Sequence, residues 1–322
     1  MQAESDNSSL VPRSGSTTGA QASCFKSVFP FGWDRTLLAL LMLLACSTTL
    51  VGQDLSKAST SGRDRDAAIR SIPFDQMTPE TREKLWPILS KPDIYRRLPV
   101  VSINCDPDLY LHMVRHPEVV VNIWHLMGIT QVESKRVAPF VFDASDGAGT
   151  VSRVELVYGT PNLHVMYGEG LYEGSLLKNK ITGKCVLVLR SDYYQGANGE
   201  TLVQNRLDVF LAVDQRGIGM VAKTLHPLVG KAADHNFVES ARFLGRMSRT
   251  AEENGRGVQA MAQRLESVSP EVRQEFSDLA HLTNQRAVQR LQRSLVPPTQ
   301  NAGGQIPRMS TPTAAATSSL SQ

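Results

Sequence analysis

The sequence predicts an α+β protein in which a curved antiparallel sheet grips one long C-terminal helix, with a helical extension beyond it. Three observations carry that expectation. Residues 130–225 hold short alternating apolar and polar runs broken by tight-turn residues, the grammar of antiparallel strands. Residues 235–253 place Phe237, Ala241, Leu244, Ser248 and Ala251 at three- and four-residue steps, with Arg242, Arg246, Arg249 and Glu253 mostly elsewhere, so one side of a helix is apolar and the other wet. Asp234 and Asn236 are candidate N-caps for it, and Asn254-Gly255 is a fitting stop. Beyond them, residues 258–265 and 270–295 are again amphipathic, the second opening on Pro270.

The whole chain bounds what this domain can be. With 322 residues there is room for one substantial domain with extensions, or for two small ones. A formal net charge of +3, with Lys and Arg scattered and no aromatic interleaving, argues against a nucleic-acid partner. Residues 1–35 are polar and without period, which predicts disorder. Arg35 is followed by an apolar run, residues 37–45, too short to span a bilayer and flanked by small residues, the pattern of a secretory signal. Leu43-Leu44-Ala45-Cys46 resembles a lipobox, which would make Cys46 a lipidation site and tether the chain to a membrane; ordinary cleavage near Gly52 or Gln53 is the alternative. An uncleaved anchor is disfavoured by the length of the run. Either route predicts an exported protein, periplasmic or secreted. The expected organisation is a disordered and signal segment at 1–53, a linker and N-terminal helix at 54–97, the main domain at 98–254, a helical extension at 255–296 and a disordered Pro/Ser/Thr/Ala tail at 297–322.

Within the exported part, residues 54–68 read as a polar linker. Thr78-Pro79-Glu80-Thr81 opens a helix, with Thr as cap, Pro at the first position and an acid in the first turn, and Lys91-Pro92 ends it. Leu85, Trp86 and Leu89 are its packing residues, and residues 94–98 read as a further turn. Residues 98–103 are a short strand. Asp106-Pro107-Asp108 starts the next helix, His116-Pro117 interrupts it, and residues 118–127 read as another that Gly128 stops, although their β-branched run also suits a strand. Strands follow at 132–137, 140–143, 151–158, 164–172, 184–190, 203–213 and 218–225. In 151–158 the residues Ser152, Val154, Leu156 and Tyr158 share one face; in 203–213 Val203, Asn205, Leu207, Val209, Leu211 and Val213 do.

This order of a strand, one or two helices, about six antiparallel strands with tight turns and a long helix resembles the helix-grip fold of START-type and polyketide-cyclase-like proteins, over residues 98–253. Asp108-Leu109-Tyr110, His116-Pro117-Glu118 and Trp124 are similar to local features of that superfamily. The chain also resembles exported proteins of planctomycete-type bacteria, a likeness that implies no activity. The helix-grip resemblance implies a cavity between sheet and helix for a lipid or another hydrophobic small molecule. Its wall would come from Trp124, Tyr158, Met166, Leu207, Val209, Phe237 and Leu244. The competing expectation is that these residues fill a solid core.

Signals of catalysis are sparse. There is no GxSxG elbow, and Gly168-Glu169-Gly170 with Gly174 lacks the dinucleotide-binding context, so no cofactor is expected; close strand packing or a bulge explains those glycines. Asp143, Asp146 and Gly147 fit a hairpin turn better than a calcium loop. His112 and His116 stand one helical turn apart, but sequence shows no third ligand, so the pair is expected to be solvated and no metal is assigned. Glu155, Glu169, Arg190, Arg206 and Asp208 are expected on solvated strand faces. Cys105 and Cys185, both in the exported part, could pair in an oxidising compartment, although Cys185 reads more simply as a small buried apolar residue. The sequence therefore supports an exported binding protein for an apolar or amphipathic ligand, with a hydrolase- or cyclase-type enzyme and a ligand-free structural envelope protein as the other two readings.

Overall fold

A computed structural model of the chain describes residues 57–174, 180–196, 199–213 and 226–295. The described elements are α1 (Gly62–Arg70), a 3-10 turn (Phe74–Gln76), α2 (Pro79–Ser90), β1 (Ile94–Arg97), β2 (Val101–Asn104), α3 (Pro107–Arg115), α4 (Pro117–Leu126), β3 (Glu133–Ala138), β4 (Val141–Ser145), β5 (Thr150–Gly159), β6 (Leu163–Tyr172), β7 (Ile181–Gln195), β8 (Thr201–Val213), α5 (His226–Glu253), α6 (Gly255–Ala262) and α7 (Pro270–Leu295). The strands form one curved antiparallel sheet in the order β1-β8-β7-β6-β5-β4-β3, with β2 also pairing on β8. The α+β helix-grip architecture is the one that the sequence predicts. The signal segment, Cys46, the strand at 218–225 and the tail from 297 lie outside the described residues.

Local chemistry sets most boundaries. Thr78 accepts from the Thr81 N–H and caps α2. Asp106 accepts from the Asp108 and Leu109 N–H groups and caps α3. Asp146 accepts from the Ala148 and Thr150 N–H groups in the β4–β5 turn, where Gly147 has φ +64°. Gly168 and Gly170 serve close packing: a Cβ on Gly168 would lie 2.7 Å from the Cys185 sulfur, and one on Gly170 would lie 2.7 Å from the Val151 carbonyl. Cys105 and Cys185 are both free thiols.

Four local expectations are corrected. Residues 62–70 are helix rather than linker, because Ser61 caps the first turn and Ala68 is buried. Residues 94–97 are strand rather than a helical turn, since β1 pairs Ile94–Arg97 with Leu211–Asp208 of β8. The long helix begins at His226, ahead of Asp234 and Asn236, which lie inside it. Trp86 is 54% exposed, edge-on to Phe74, while its neighbours Leu85 and Leu89 are fully buried.

Both faces of the sheet carry cover. On the outer face Tyr95, Phe210, Val186, Tyr167, Val188 and Val165 join Ala68, Ile72, Met77, Leu85, Ile88 and Leu89 from the N-terminal segment. Fully buried Asp208 on this face accepts from Tyr95 Oη at 2.6 Å and from Arg97 Nε at 2.8 Å, and Arg97 also reaches Asp64 of α1. Asp208 is therefore not on a solvated face. On the inner face Leu207, Leu189, Val203 and Ile103 join Tyr110, Trp124, Phe237, Ala241, Phe243 and Met247. Helix α5 is fixed along the β1/β2 margin by an Arg96–Asp234 ion pair, by Gly245 against Ile103, and by Ser248 Oγ accepting the Asp106 N–H at 2.8 Å. Helix α7 packs through Phe276, Ala280, Thr283 and Ala287, whereas Val288, Leu291 and Leu295 are exposed. No helix among the described residues is long and apolar enough to cross a membrane.

Candidate functional site

Register on the inner face produces an apolar row that runs across four strands. Leu156 of β5 stands opposite Met166 of β6, Met166 opposite Leu187 of β7, and Leu187 opposite Val209 of β8. Directly paired residues share a face, so the four side chains point the same way. All four are only partly buried, unlike Val165, Val186, Val188 and Phe210 on the opposite face. Beside this row lie Val154, Cys185 and Leu211, also partly buried, and Leu244 and Ala233 of α5 are partly buried against the same inner core as Met166, Leu187 and Val209. The row spans roughly 14 Å, three strand spacings of about 4.8 Å. The result is a half-exposed apolar strip across the middle of the sheet, called the trough below.

Six of the seven residues expected to line a cavity belong to this inner cluster. Met166, Val209 and Leu244 are its partly buried members, at the trough. Trp124, Leu207 and Phe237 are buried in the same cluster, with the Trp124 ring edge-on to Phe243 at 5.5 Å. Tyr158 lies on the other face. The pairing of β5 with β6 shifts between Leu156 and Tyr158, and the extra residue turns Tyr158 outward, opposite Val165, where its hydroxyl donates to Gln76. Sequence alternation cannot reveal such a bulge. Leu156 and Leu187 are the trough residues that sequence reasoning did not single out, and the alternation of 184–190 is the signal that places Leu187 on a face with Cys185 and Leu189.

Polar groups lie deeper on the same face. Tyr110 Oη bonds Ser191 Oγ at 2.6 Å and also Asn205 Oδ1, and all three residues are buried. These groups satisfy one another, so the trio acts as a tie between α3, β7 and β8. His164 is fully buried, with Nε2 3.4 Å from Arg115 Nε; burial and the adjacent guanidinium push its pKa down to about 4.

A second cluster sits between α3 and α7. His112 is 4% exposed and its ring stacks on His116, with centroids 4.4 Å apart, and on Phe276, with centroids 5.9 Å apart. It is not solvated. Burial, together with neighbouring His116, pushes the His112 pKa down to about 3, leaving a neutral imidazole. His112 Nδ1 lies 3.6 Å from Glu275 Oε2, beyond hydrogen-bond reach, and neither ring nitrogen has a hydrogen-bond partner. Buried Glu118 accepts from Arg136 Nε at 2.8 Å, and Arg136 also donates to the Arg115 carbonyl and to His116 Nδ1. Elsewhere, a cleft of about 320 Å³ lined by Asp106, Glu252, Arg286, Arg290 and Arg293 is charged rather than apolar.

No family model matches the chain, and no curated protein matches its sequence. Among solved structures it is similar to a conserved protein from Geobacillus kaustophilus, at 12% identity and TM-score 0.35, covering 46% of this chain and 90% of that one. It is also similar to the di-domain ARO/CYC BexL from the BE-7585A biosynthetic pathway, at 14% identity and TM-score 0.23, covering 68% of this chain and 59% of that one. Likenesses of this size carry no argument about activity.

Proposed function

We propose that the chain is an exported binding protein whose trough between the sheet and α5 holds an apolar or amphipathic small molecule. One observation carries this reading: Leu156, Met166, Leu187 and Val209 form a continuous aliphatic row that stays partly exposed, whereas Val165, Val186, Val188 and Phe210 on the opposite face of the same strands are buried. A core grown only for stability would close over such a row, because each buried CH₂ contributes about 0.8 kcal/mol. Pockets for small apolar ligands have this composition, aliphatic walls with few polar groups. Export through the N-terminal segment, with Cys46 lipidation as one route, places the trough outside the cytoplasm in this reading.

The test combines native mass spectrometry of the protein purified from its own host with dye titration. A co-purifying lipid-sized mass, and binding of a hydrophobic fluorophore that Met166→Lys weakens at least tenfold while the exposed-site control Val151→Lys does not, are the expected results. A clean apo mass together with equal dye binding by both variants would sink the proposal and leave the structural reading. Edman or mass-spectrometric mapping of the mature N-terminus decides between cleavage near Gly52 and a lipidated Cys46.

A further inference from the structure

We infer that His112, His116 and Glu275 form a binding site for a divalent transition-metal ion, with zinc as the cation the donor set fits best. One ligand atom from each of these residues lies within 4.8 Å of the others. Two imidazoles and a carboxylate are the donors that first-row transition ions prefer, and a tetrahedral zinc with bonds of about 2.0–2.1 Å needs donors about 3.4 Å apart. His112 Nδ1 and Glu275 Oε2 already stand at 3.6 Å. Glu275 has 59% of its side chain exposed, so it can swing the remaining distance without moving the backbone.

An independent sign of a missing occupant is His112 itself. Its side chain is 1% exposed and both ring nitrogens lack partners, which is costly in a closed interior unless something binds there. The His116 and Phe276 rings both stack on its imidazole, and its Nδ1 faces Glu275. A second buried atom nearby, Glu118 Oε2, is also unpartnered. Glu118 Oε1 lies 3.4 Å from His116 Nδ1, within reach to accept an N–H there and orient the imidazole. Loading then takes one local rearrangement. Arg136 keeps its bonds to Glu118 and to the Arg115 carbonyl but releases His116 Nδ1; the His116 ring turns out of its stack on His112, Nε2 gives its proton to solvent and is free for the ion, and Nδ1 takes up a proton that it donates to Glu118. Three protein ligands leave a position for water, and the ion would join α3 to α7.

The test uses the full chain without a tag, stripped with EDTA and titrated with Co²⁺ and then Zn²⁺. One Co²⁺ per chain should bind with the intense visible bands of a low-coordinate centre, and Zn²⁺ should bleach them. Glu275→Gln should weaken binding at least tenfold while leaving the unfolding midpoint in EDTA unchanged, since its carboxylate is exposed. His112→Asn provides a second variant that should abolish the bands. If Co²⁺ shows only the pale spectrum of its aqua ion, or if Glu275→Gln and His112→Asn both bind as tightly as the wild type, the inference is overturned.

Discussion

Replacing Asp208 by Asn probes how the N-terminal helices are held to the sheet. Asp208 is fully buried and accepts from Tyr95 at 2.6 Å and from Arg97 at 2.8 and 3.3 Å. The Asn keeps the shape but removes the charge, and its amide N–H group then confronts the guanidinium. Breaking a buried ion pair by removing one partner costs about 3–5 kcal/mol. Here Arg97 keeps Asp64, whose side chain is 31% exposed, so partial compensation places the loss near the low end, about 3 kcal/mol. Tyr95→Phe removes one hydrogen bond and leaves Asp208 paired with Arg97, so it should cost only about 1 kcal/mol. Urea unfolding followed by circular dichroism reads both, and a ~3 kcal/mol loss lowers the melting temperature by roughly 6–12 °C in a domain of this size. Replacing Asp208 and Arg97 together by Leu should recover most of the loss, because apolar isosteres of a buried pair are often nearly neutral. If Asp208→Asn is within 0.5 kcal/mol of wild type (an ordinary surface-site effect), or costs no more than Tyr95→Phe, the network does not hold the segment as described.

Tyr110→Phe should cost about 1–3 kcal/mol, because Ser191 and Asn205 are left buried without their shared partner; the same urea assay checks it. His164 makes stability pH-dependent in a fixed direction. Its folded pKa, pushed down to about 4, lies below the unfolded value of about 6.5, so its contribution is complete above that value and drains away as pH falls toward 4. Between pH 6.5 and 5 the loss is about 2 kcal/mol, and His164→Gln should flatten the profile by that amount; equal slopes for the two proteins would refute it. Arg286→Ala removes two ion pairs, to Asp106 and Asp108, that fix α7 to the start of α3. Hydrogen exchange should show faster amides in α7 with unchanged protection in β7; uniform protection throughout would count against that role.

The parts of this fold that were legible in sequence are those written by near neighbours. The Thr78 and Asp106 caps, the Pro270 start and the alternation of 203–213 each follow from residues within a turn or a strand. Residues 94–97 failed that test because nothing local makes Tyr-Arg-Arg a strand. Arg96 and Arg97 become acceptable on opposite faces only because Asp234 and Asp208 arrive from far along the chain. Tyr158 failed for a related reason, a bulge that depends on the partner strand. In the histidine cluster, sequence could place His112 and His116 together, but Glu275 reaches them from α7, a helix that local periodicity describes without revealing what it packs on.

The trough follows from where the long helix is forced to lie. Both faces of the sheet are apolar, so both need cover, and α1 and α2 provide it outside through Ala68, Leu85, Ile88 and Leu89. Inside, α5 could in principle lie over the middle of the sheet and bury Met166 and Leu187. Three anchors keep it at the margin instead. Arg96 holds Asp234 near the helix start, Ser248 holds the Asp106 N–H toward its end, and Gly245 lets the backbone approach Ile103 between them. A Cβ at Gly245 would meet the Ile103 Cβ at 3.2 Å and the Asn104 carbonyl at 3.4 Å, tighter than ordinary contact. The close approach pulls the helix toward β2 and away from β5 and β6, so the half-open row from Leu156 to Val209 is a geometric consequence of that docking. A binding reading of this fold thus rests as much on Gly245 and Arg96, which no ligand would touch, as on the aliphatic residues that would touch it.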